Sequence, residues 1–341
     1  MAATMQDVAK LAEVSVKTVS NVVNDYKHVT PATRERVRKA IEKLGYEVNL
    51  SARNLRTGRT GLITLALPEL RLPYFAELAA SVIAEAEQAG MRVLVEQTNA
   101  DREREIELLQ GRSRHMVDGV VFSPLALGQD DIRLFNVRFP LVLLGERVFG
   151  SPNDHVTMSN VEAAKAATHH LLARGCRRIA FVGSHPGEAV GSAALREQGY
   201  RAALAEAGIP VDERLVVEAE PWHRLTGATV MDRLLTDGTD FDGVFAANDS
   251  LALGVLHSLN VHRVPVPERI AVIGFDDVED ASFAHPTLTS VSPGREQIAR
   301  EAVRLLMLRI AEAGMSLTET RPAQSIRADF EIMARESSAR S

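Results

Sequence analysis

Residues 4–24, TMQDVAKLAEVSVKTVSNVVN, contain two short amphipathic segments separated by a turn. Thr4 and Asp7 have the spacing of a capping box, so a first helix is expected to begin directly after Thr4. Ser15 follows the turn at Glu13 and can cap a second helix of about two turns. The pattern predicts a helix-turn-helix, whose second helix enters the major groove of DNA.

The predicted core of this motif uses apolar residues at helical spacing: Val8, Ala9, Leu11, Ala12, Val14, Val19 and Val22. Thr30 and Pro31 predict a third helix, because a hydroxyl cap is followed by proline at the first helical position. Val37, Ile41 and Leu44 are expected on its inner face, and Gly45 is expected to end it. The corner of the motif, where glycine is usual, has Glu13 instead, which predicts a slightly strained turn.

The second helix supplies the candidate contacts to DNA bases. Lys17 and Asn21 are four residues apart on its outer face, and both side-chain types hydrogen-bond to base edges. The alternative is a three-helix bundle that binds something else. The predicted DNA-binding set in this region is Ser15, Val16, Lys17, Thr18, Ser20, Asn21 and Asn24.

Charge is distributed unevenly along the 341 residues. Residues 1–60 carry eleven basic and six acidic side chains, a formal balance of +5, and the rest of the chain has a balance of −11. A basic N-terminal part on an acidic body fits a protein whose first part meets a polyanion. Neither a secretory signal nor an apolar run of membrane-spanning length is evident, so we expect a cytoplasmic, nucleoid-associated protein without membrane contact.

Several short motifs occur together in the first 58 residues. They are Asp7-Val8-Ala9, Val14-Ser15, Thr18-Val19-Ser20, Val22-Val23-Asn24, the run from Thr30 to Arg36, and the run from Asn49 to Leu55. In combination they resemble the lac/gal repressor family of bacterial transcription regulators, and the likeness continues through the rest of the chain. The resemblance implies a helix-turn-helix domain over residues 1–48 and a hinge helix with linker over 49–60.

The resemblance further implies that residues 50–56 fold into a hinge helix only when two subunits occupy their operator. An isolated helix of about seven residues is unstable in water, so a partner must supply the ordering free energy. Ala52 permits close approach to DNA, and Leu55 is expected to wedge between base pairs in the minor groove. Arg53 and Arg56 are expected to pair with phosphates. The alternative is a simple linker whose leucine rests on the body.

From residue 61 onward, apolar runs alternate with amphipathic stretches, which predicts parallel sheets covered by helices on both faces. Predicted strands are Leu62–Leu67, Arg92–Gln97, Gly119–Ser123, Leu141–Leu144, Arg178–Gly183, Gly243–Ala247 and Ile270–Phe275. The length of this region favours two α/β lobes with a cleft between them. The resemblance implies a two-lobed, periplasmic-binding-protein-like (type I) α/β body for effector binding and dimerisation over 61–335. We expect chain crossings near Asn160, Ser290 and Thr320, which gives one lobe of about 61–160 and 291–320 and a second of about 161–290 and 321–335.

Ligands of such sheets bind beyond the carboxyl ends of the strands. Asp276 and Asn248 follow two predicted strands, and Arg196 lies beyond the loop after a third. Tyr74 and Phe75 follow the first strand of the body. Carboxylate, amide and guanidinium groups beside an aromatic face suit a polyhydroxylated ring, so these residues predict a sugar site.

The family resemblance implies effector contacts at Arg196, Asn248 and Asp276, and an aromatic contact at Trp222, the only tryptophan. Each residue also has a purely structural interpretation. Asp276 or Asn248 can cap a helix, although Asp249 is the more expected cap beside Asn248. Arg196 can form a surface ion pair, and Trp222 can simply fill a core.

Motifs of catalysis are not evident in the sequence. There is no phosphate-binding loop of the Walker type and no Gly-x-Ser-x-Gly elbow. His169 and His170 are adjacent and therefore point to different sides of a helix, and the single cysteine, Cys176, has no histidine arranged to activate it. We therefore expect no enzyme, cofactor or metal site. The C-terminal residues lack leucine heptads, which favours a homodimer.

These observations predict a sequence-specific DNA-binding regulator that recognises a near-palindromic operator as a homodimer. We expect a repressor of carbohydrate-utilisation genes, released from double-stranded DNA by a small sugar effector. One alternative is a regulator that needs a corepressor such as a purine. The other is a sugar-binding transport component, which would leave the basic N-terminal part unexplained.

Overall fold

Three helices form the N-terminal part of the computed structural model. They are α1 (Met5–Leu11), α2 (Val16–Val23) and α3 (Pro31–Leu44). The structure describes residues 3–23, 26–46, 59–111, 116–313 and 321–340, and it divides into a unit of Met1–Thr60 and a unit of Gly61–Ser341.

The predicted helix caps of the first unit are confirmed. The Thr4 hydroxyl accepts a hydrogen bond from the Asp7 backbone N–H at 3.3 Å, and the Asp7 carboxylate accepts one from the Thr4 N–H at 2.9 Å. The Ser15 hydroxyl accepts from a backbone N–H of the first turn of α2 at 3.1 Å. Glu13 has a φ of +53°, so the corner adopts the left-handed conformation that costs a non-glycine residue free energy. Gly45 ends α3 at a φ of +57°.

The core of the first unit differs from the expectation at two positions. Leu11 is 43% exposed and Leu44 is 36% exposed, although both were expected to face inward. Tyr46 is buried instead, because the turn at Gly45 brings it back until its N–H reaches the carbonyl of Ile41 at 3.0 Å. The buried cluster consists of Val8, Ala9, Ala12, Val19, Val22, Val37, Ala40 and Tyr46.

The second unit contains two six-stranded sheets, each flanked by helices. The first sheet has the order β11-β5-β4-β3-β1-β2 and is parallel throughout. Its strands are β1 (Leu62–Leu67), β2 (Arg92–Gln97), β3 (Gly119–Phe122), β4 (Leu141–Leu144), β5 (Asp154–Thr157) and β11 (Ser325–Arg327). The helices of this lobe are α4 (Pro73–Gln88), α5 (Arg102–Leu109) and α11 (Arg295–Glu312).

The second sheet has the order β12-β10-β9-β8-β6-β7, and only β12 runs antiparallel to its neighbour. Its strands are β6 (Ile179–Ser184), β7 (Val216–Glu218), β8 (Gly243–Ala246), β9 (Ala271–Phe275), β10 (Thr289–Ser292) and β12 (Glu331–Met333). The helices of this lobe are α6 (Asn160–Ala173), α7 (Ser192–Glu206), α8 (Arg224–Thr236), α9 (Asp249–Val261) and α10 (Glu279–Phe283). Short 3₁₀ turns lie at Gln129–Phe135, Glu213–Leu215 and Glu336–Ser338.

Within the part of the chain that the structure describes, three passages between the two sheets occur, and the third lies later than expected. The first two fall between β5 and α6 and between β10 and α11, close to the expected positions. The third falls between β11 and β12, beyond Arg327, because β11 pairs with β5 of the first sheet. Asp154 is fully buried and holds this return segment through Arg321 and through the Gln324 N–H at 2.8 Å. The segment after residue 320 therefore still belongs to the first lobe.

Apolar strands bury the core of each lobe. In the first lobe, Ile63, Leu65 and Leu67 of β1 pack with α4 and α11. In the second, Phe181 and Phe245 meet at 5.4 Å between ring centroids within one cluster. Both sheets thus end in loops that can carry polar side chains without disturbing the core. Within the described residues, no helix combines the length and the apolar character needed to cross a bilayer.

Candidate functional site

The exposed side of α2 carries the described candidates for DNA contact. Val19 and Val22 are buried, so the opposite side of the helix faces outward. Val16 is 42% exposed, Lys17 is exposed, and Asn21 is half-buried one turn further on. An exposed cation and an amide on one helix face can bind phosphate and base edges.

Three other candidates on this segment have different surroundings. The Ser15 and Thr18 hydroxyls lie 2.9 Å apart at the start of α2, where they help to cap the helix. Ser20 is half-buried. Asn24, Ala52, Arg53, Leu55 and Arg56 lie outside the described residues, so their roles stay predictions from the sequence.

The second unit has a cavity of about 540 Å³ between its two lobes. It opens where the strands of both sheets end, as expected for parallel α/β sheets. Its volume falls within the range of roughly 300–1,000 Å³ that encloses small ligands. All six predicted effector residues line this cavity: Tyr74, Phe75, Arg196, Trp222, Asn248 and Asp276.

A buried ion pair lines this cavity. Arg196, on α7, is 2% exposed, and its Nη1 lies 3.8 Å from the Asp276 carboxylate. Its Nε donates to Asn160 Oδ1 at 2.7 Å, and its Nη1 also donates to the Ala247 carbonyl. The guanidinium lies over the ring of Phe275 at 3.6 Å, which adds a cation–π contact. Arg196 is therefore a buried group that the protein holds in one orientation, and the interpretation as a surface ion pair is wrong.

Asp276 follows β9 in an unusual backbone conformation. Its φ is +112°, and that of Asp277 is +50°. Hydrogen bonds fix both residues, since the Asp276 N–H donates to Val291 O at 2.8 Å and the Asp277 N–H to Ser290 Oγ at 3.0 Å. Burial raises the pKa of Asp276 to about 7, although Arg196 opposes the rise. A strained, buried carboxyl at a strand end is typical of a functional position.

Asn248 is both a helix cap and a cavity residue. Its Oδ1 accepts from the Leu251 N–H at 2.8 Å at the start of α9, and its Nδ2 donates to the Trp222 carbonyl at 3.2 Å. The expectation that Asp249 is the cap is wrong. Asp249 is fully buried and accepts hydrogen bonds from the Ser290 hydroxyl at 2.6 Å and from the Val278 N–H at 3.0 Å. Burial raises the pKa of its carboxyl group. Asp249 thereby holds the loop that carries Asp276.

Aromatic side chains from both lobes border the cavity. Trp222 lies just before α8, and its indole N–H donates to the Gly183 carbonyl at 3.1 Å, which fixes the ring. The ring centroid is 5.4 Å from the Arg196 guanidinium carbon. Tyr74 and Phe75, in the first turn of α4, contact each other edge to face at 5.3 Å. Burial, with Asp276 and Glu146 adding to it, raises the pKa of Tyr74 well above its usual range, so its hydroxyl stays neutral.

Several cavity residues were not predicted from the sequence. Glu146 follows β4 after one glycine, and it accepts from the Met158 N–H at 2.9 Å and from the Ser192 hydroxyl at 2.8 Å. Because Ser192 begins α7, this contact joins the two lobes. His223 and Glu69 also join them, with Nε2 and Oε2 2.9 Å apart. The position of Glu146 beyond a strand end was the signal that could have identified it.

In the part of the chain that the structure describes, no group of three or more His, Cys, Asp or Glu side chains is arranged to hold a metal ion. His169 contacts Glu206 at 2.9 Å and His170 contacts Ser338 at 2.7 Å, so the two rings have separate structural partners. Cys176 is buried, and burial raises the pKa of its thiol to about 11. A thiol with this pKa is a poor nucleophile at neutral pH.

Each of the two units of the chain contains a match to a known protein family. Residues 4–49 match the family described as bacterial regulatory proteins, lacI family, and residues 168–338 match the periplasmic binding protein-like domain. The transcriptional regulator CelR of Thermobifida fusca is 36% identical over 320 residues, covering 90% of this chain and 92% of CelR.

Two solved structures are similar to this chain over nearly its whole length. The complex of transcriptional regulator CelR with cellobiose is 32% identical, with a TM-score of 0.71, and the match covers 98% of this chain and 99% of that one. The lac repressor dimer bound to operator and the anti-inducer ONPF is 26% identical, with a TM-score of 0.81, and the match covers 99% of each chain.

Proposed function

Because the chain belongs to the lacI family of bacterial regulatory proteins, we propose that it is a repressor that a small sugar releases from its operator. The family is one of DNA-binding transcription regulators, so the chain is such a regulator and not an enzyme. The sugar-binding transport component considered as an alternative is wrong for the same reason. The sugar as effector, its site and its inducing action are the proposal.

The observation that carries the proposal is the cavity that encloses Arg196 and Asp276 beside Trp222. Sugar hydroxyls both donate and accept hydrogen bonds, and the cavity offers a guanidinium, carboxyl groups and the amide of Asn248. The apolar C–H face of a pyranose can lie on the indole ring. The similar regulator CelR, whose structure is a complex with cellobiose, supports a sugar as the effector.

Control of DNA binding requires that the effector distinguish two states of the protein. The cavity has walls from both lobes, so a ligand there contacts both sheets and can favour one degree of lobe closure over another. An inducer must bind the arrangement that grips DNA poorly more tightly than the arrangement that grips it well. A ligand with equal affinity for both states changes nothing, however tightly it binds.

On the DNA side, we propose that a homodimer places two copies of α2 in successive major grooves of a near-palindromic operator. Lys17 and Asn21 are the described side chains best placed for direct contact. Ala52, Arg53, Leu55 and Arg56 are proposed to act in the minor groove. The similar lac repressor, which is bound to its operator as a dimer, supports a dimer as the DNA-binding form.

The experiment has two steps. Full-length protein is first screened by thermal shift against monosaccharides, disaccharides, nucleobases and nucleosides, since a ligand far above its dissociation constant stabilises by a few kcal/mol. Genomic fragments that the protein selects then serve as operator in a gel-shift titration with the stabilising compound. We expect a sugar to stabilise the protein and to weaken its operator binding.

The direction of the effect separates the proposal from its main alternative. Stabilisation by a purine that strengthens operator binding would instead establish corepression and refute the sugar effector. As a matched control, Asp276→Ala is expected to bind operator but to ignore the sugar, whereas Asp240→Ala, an exposed acid of the same lobe, should respond normally. If Asp276→Ala released DNA at the normal sugar concentration, the assignment of the cavity would be wrong.

A further inference from the structure

The charged side chains that line the cavity are unequal in sign. Carboxyl groups outnumber guanidinium groups by five to two among the described lining residues. The carboxyl groups belong to Glu69, Glu146, Glu188, Glu220 and Asp276, and the guanidinium groups to Arg147 and Arg196. A site built for an anion would show the opposite balance.

The protein itself already uses the Arg196 guanidinium. Its three nitrogens contact Asn160, the Ala247 carbonyl, the Met158 sulfur at 3.4 Å and the Asp276 carboxylate. An anionic ligand could claim Arg196 only by displacing Asp276 and leaving that buried carboxyl without its cation. Leaving one member of a buried pair unpartnered is strongly unfavourable.

The Arg147 guanidinium is also engaged. Its Nη1 lies 3.0 Å from Glu188 Oε1 and donates to the Val190 carbonyl at 3.4 Å. Its Nε is buried without a partner among the described residues, so that N–H is available to a ligand oxygen. A cation whose charge is already paired with Glu188 suits a neutral hydroxyl better than a phosphate, which would have to compete with that carboxylate.

The acidic residues, in contrast, keep acceptor capacity. Glu146 is 4% exposed and accepts one bond on each oxygen, from Met158 N–H and Ser192 Oγ. A carboxylate oxygen can accept about two bonds, so each oxygen retains a lone pair. Glu220 lies at the cavity beside Trp222 and is exposed. Such acceptors bind the O–H donors of a polyol.

We infer that the effector is an electrically neutral sugar, and that this cavity rejects sugar phosphates and sugar acids by the carboxylates of its walls. The inference rests on the proposed function and narrows it to one chemical class. A phosphate or carboxylate on the sugar would bring like charges together in a confined space with little solvent to screen them. Like-charge juxtaposition of this kind reduces affinity by ~100-fold or more.

The test uses pairs of sugars, each made of a neutral sugar and an anionic derivative of it. Full-length protein is titrated calorimetrically with glucose and glucose 6-phosphate, galactose and galacturonate, and cellobiose and cellobionate. We expect at least one neutral member to bind and its anionic partner to bind ~100-fold more weakly. Comparable or tighter binding of an anionic member would overturn the inference while leaving a sugar effector in place. If a nucleobase binds and no sugar does, or if none of the sugars binds, both the inference and the proposed function fail.

Two variants test whether the carboxylates cause the discrimination. Glu146→Gln and Glu220→Gln keep the side-chain volume and remove one negative charge each. The buried Glu146 variant should reduce the affinity ratio between paired sugars about tenfold, and the exposed Glu220 variant should reduce it by a smaller factor. Glu220 is exposed, which keeps the test valid if the Glu146 variant folds poorly. Glu218→Gln is the matched control, because Glu218 is exposed on β7 and does not line the cavity. An unchanged ratio in both test variants would refute the role of these carboxylates.

Discussion

Arg196→Met should uncouple DNA binding from the effector at a measurable cost in stability. Methionine keeps an unbranched apolar side chain over the ring of Phe275 but removes the guanidinium that Asp276 faces at 3.8 Å. Breaking a buried pair by removing one partner costs about 3–5 kcal/mol. No reduction for solvent screening applies, because the Arg196 side chain is only 3% exposed.

This cost can be expressed as a change in melting temperature. For a folded unit of this size, each kcal/mol corresponds to roughly 2 °C, so the body should unfold roughly 6–10 °C lower than in the wild type. Effector affinity should fall at least tenfold, since Asp276 without its cation becomes neutral and a sugar hydroxyl then loses a hydrogen bond to a charged group, which contributes about 1.5–3 kcal/mol. Operator affinity without effector should stay within about twofold, because α2 belongs to the other unit.

Differential scanning calorimetry and fluorescence anisotropy of a labelled operator measure these quantities. Arg214→Met is the matched control, because the Arg214 side chain is 76% exposed and pairs with Asp212. Exposed ion pairs contribute only about 0–1 kcal/mol to stability, so this variant should melt close to the wild-type temperature. A variant that melts within about 2 °C of the wild type and releases operator at the same effector concentration would refute the role given to Arg196.

Three further predictions concern the DNA contacts and the pH response. Leu55→Ala should weaken operator binding roughly tenfold or more and reduce DNA bending without changing the melting temperature, and unchanged bending in a gel-shift series would contradict the minor-groove wedge. Lys17→Ala should cost about 1–3 kcal/mol of operator affinity, which anisotropy at several salt concentrations will detect; equal affinity at every salt concentration would place Lys17 away from DNA. The pKa of Asp276 is raised to about 7, so protonation of this carboxyl stabilises the fold as the pH falls from 7 toward 4. The charged carboxylate, which accepts hydrogen bonds from sugar hydroxyls, is lost over the same fall in pH. Calorimetry should therefore show sugar affinity falling about tenfold from pH 8 to pH 6 in the wild type and changing much less in Asp276→Asn, where His185, another cavity residue with a raised pKa, still titrates. A flat wild-type profile would contradict this assignment.

Local interactions made the first unit predictable. The capping of α1 by Thr4 and Asp7 joins residues three apart, so the sequence alone determines it. The orientation of Leu11 was not predictable in the same way. Helical spacing allows it on the inner face, but Val8 and Ala12 already occupy the space beside α2 and α3, and Leu11 remains exposed.

Strand prediction succeeded where burial dictates the sequence. β1 and β4 have the predicted bounds, because strands covered on both faces require continuous apolar runs. β5 was not predicted, since Asp154 and His155 interrupt any apolar pattern, and both are nevertheless buried. Arg309 and Arg321 compensate the Asp154 charge from more than 150 residues away, and sequence spacing contains no trace of such a contact.

The candidate site likewise contains residues that the sequence could identify and residues that only the structure could identify. Asp276 and Asn248 could be selected because ligands bind where parallel strands end. The pairing of Glu69 with His223 depends on how the two lobes meet, so it could be found only in three dimensions. Glu146 lies between these cases, because it follows a correctly predicted strand.

The most direct test of the account measures operator affinity at rising concentrations of the sugar that stabilises the protein. Purified full-length chain and a labelled operator selected from genomic DNA suffice for an anisotropy titration. We predict that saturating sugar raises the dissociation constant of the operator complex at least tenfold, a coupling of about 1.4 kcal/mol. A dissociation constant that stays the same with the cavity fully occupied would contradict the claim that this cavity governs DNA binding.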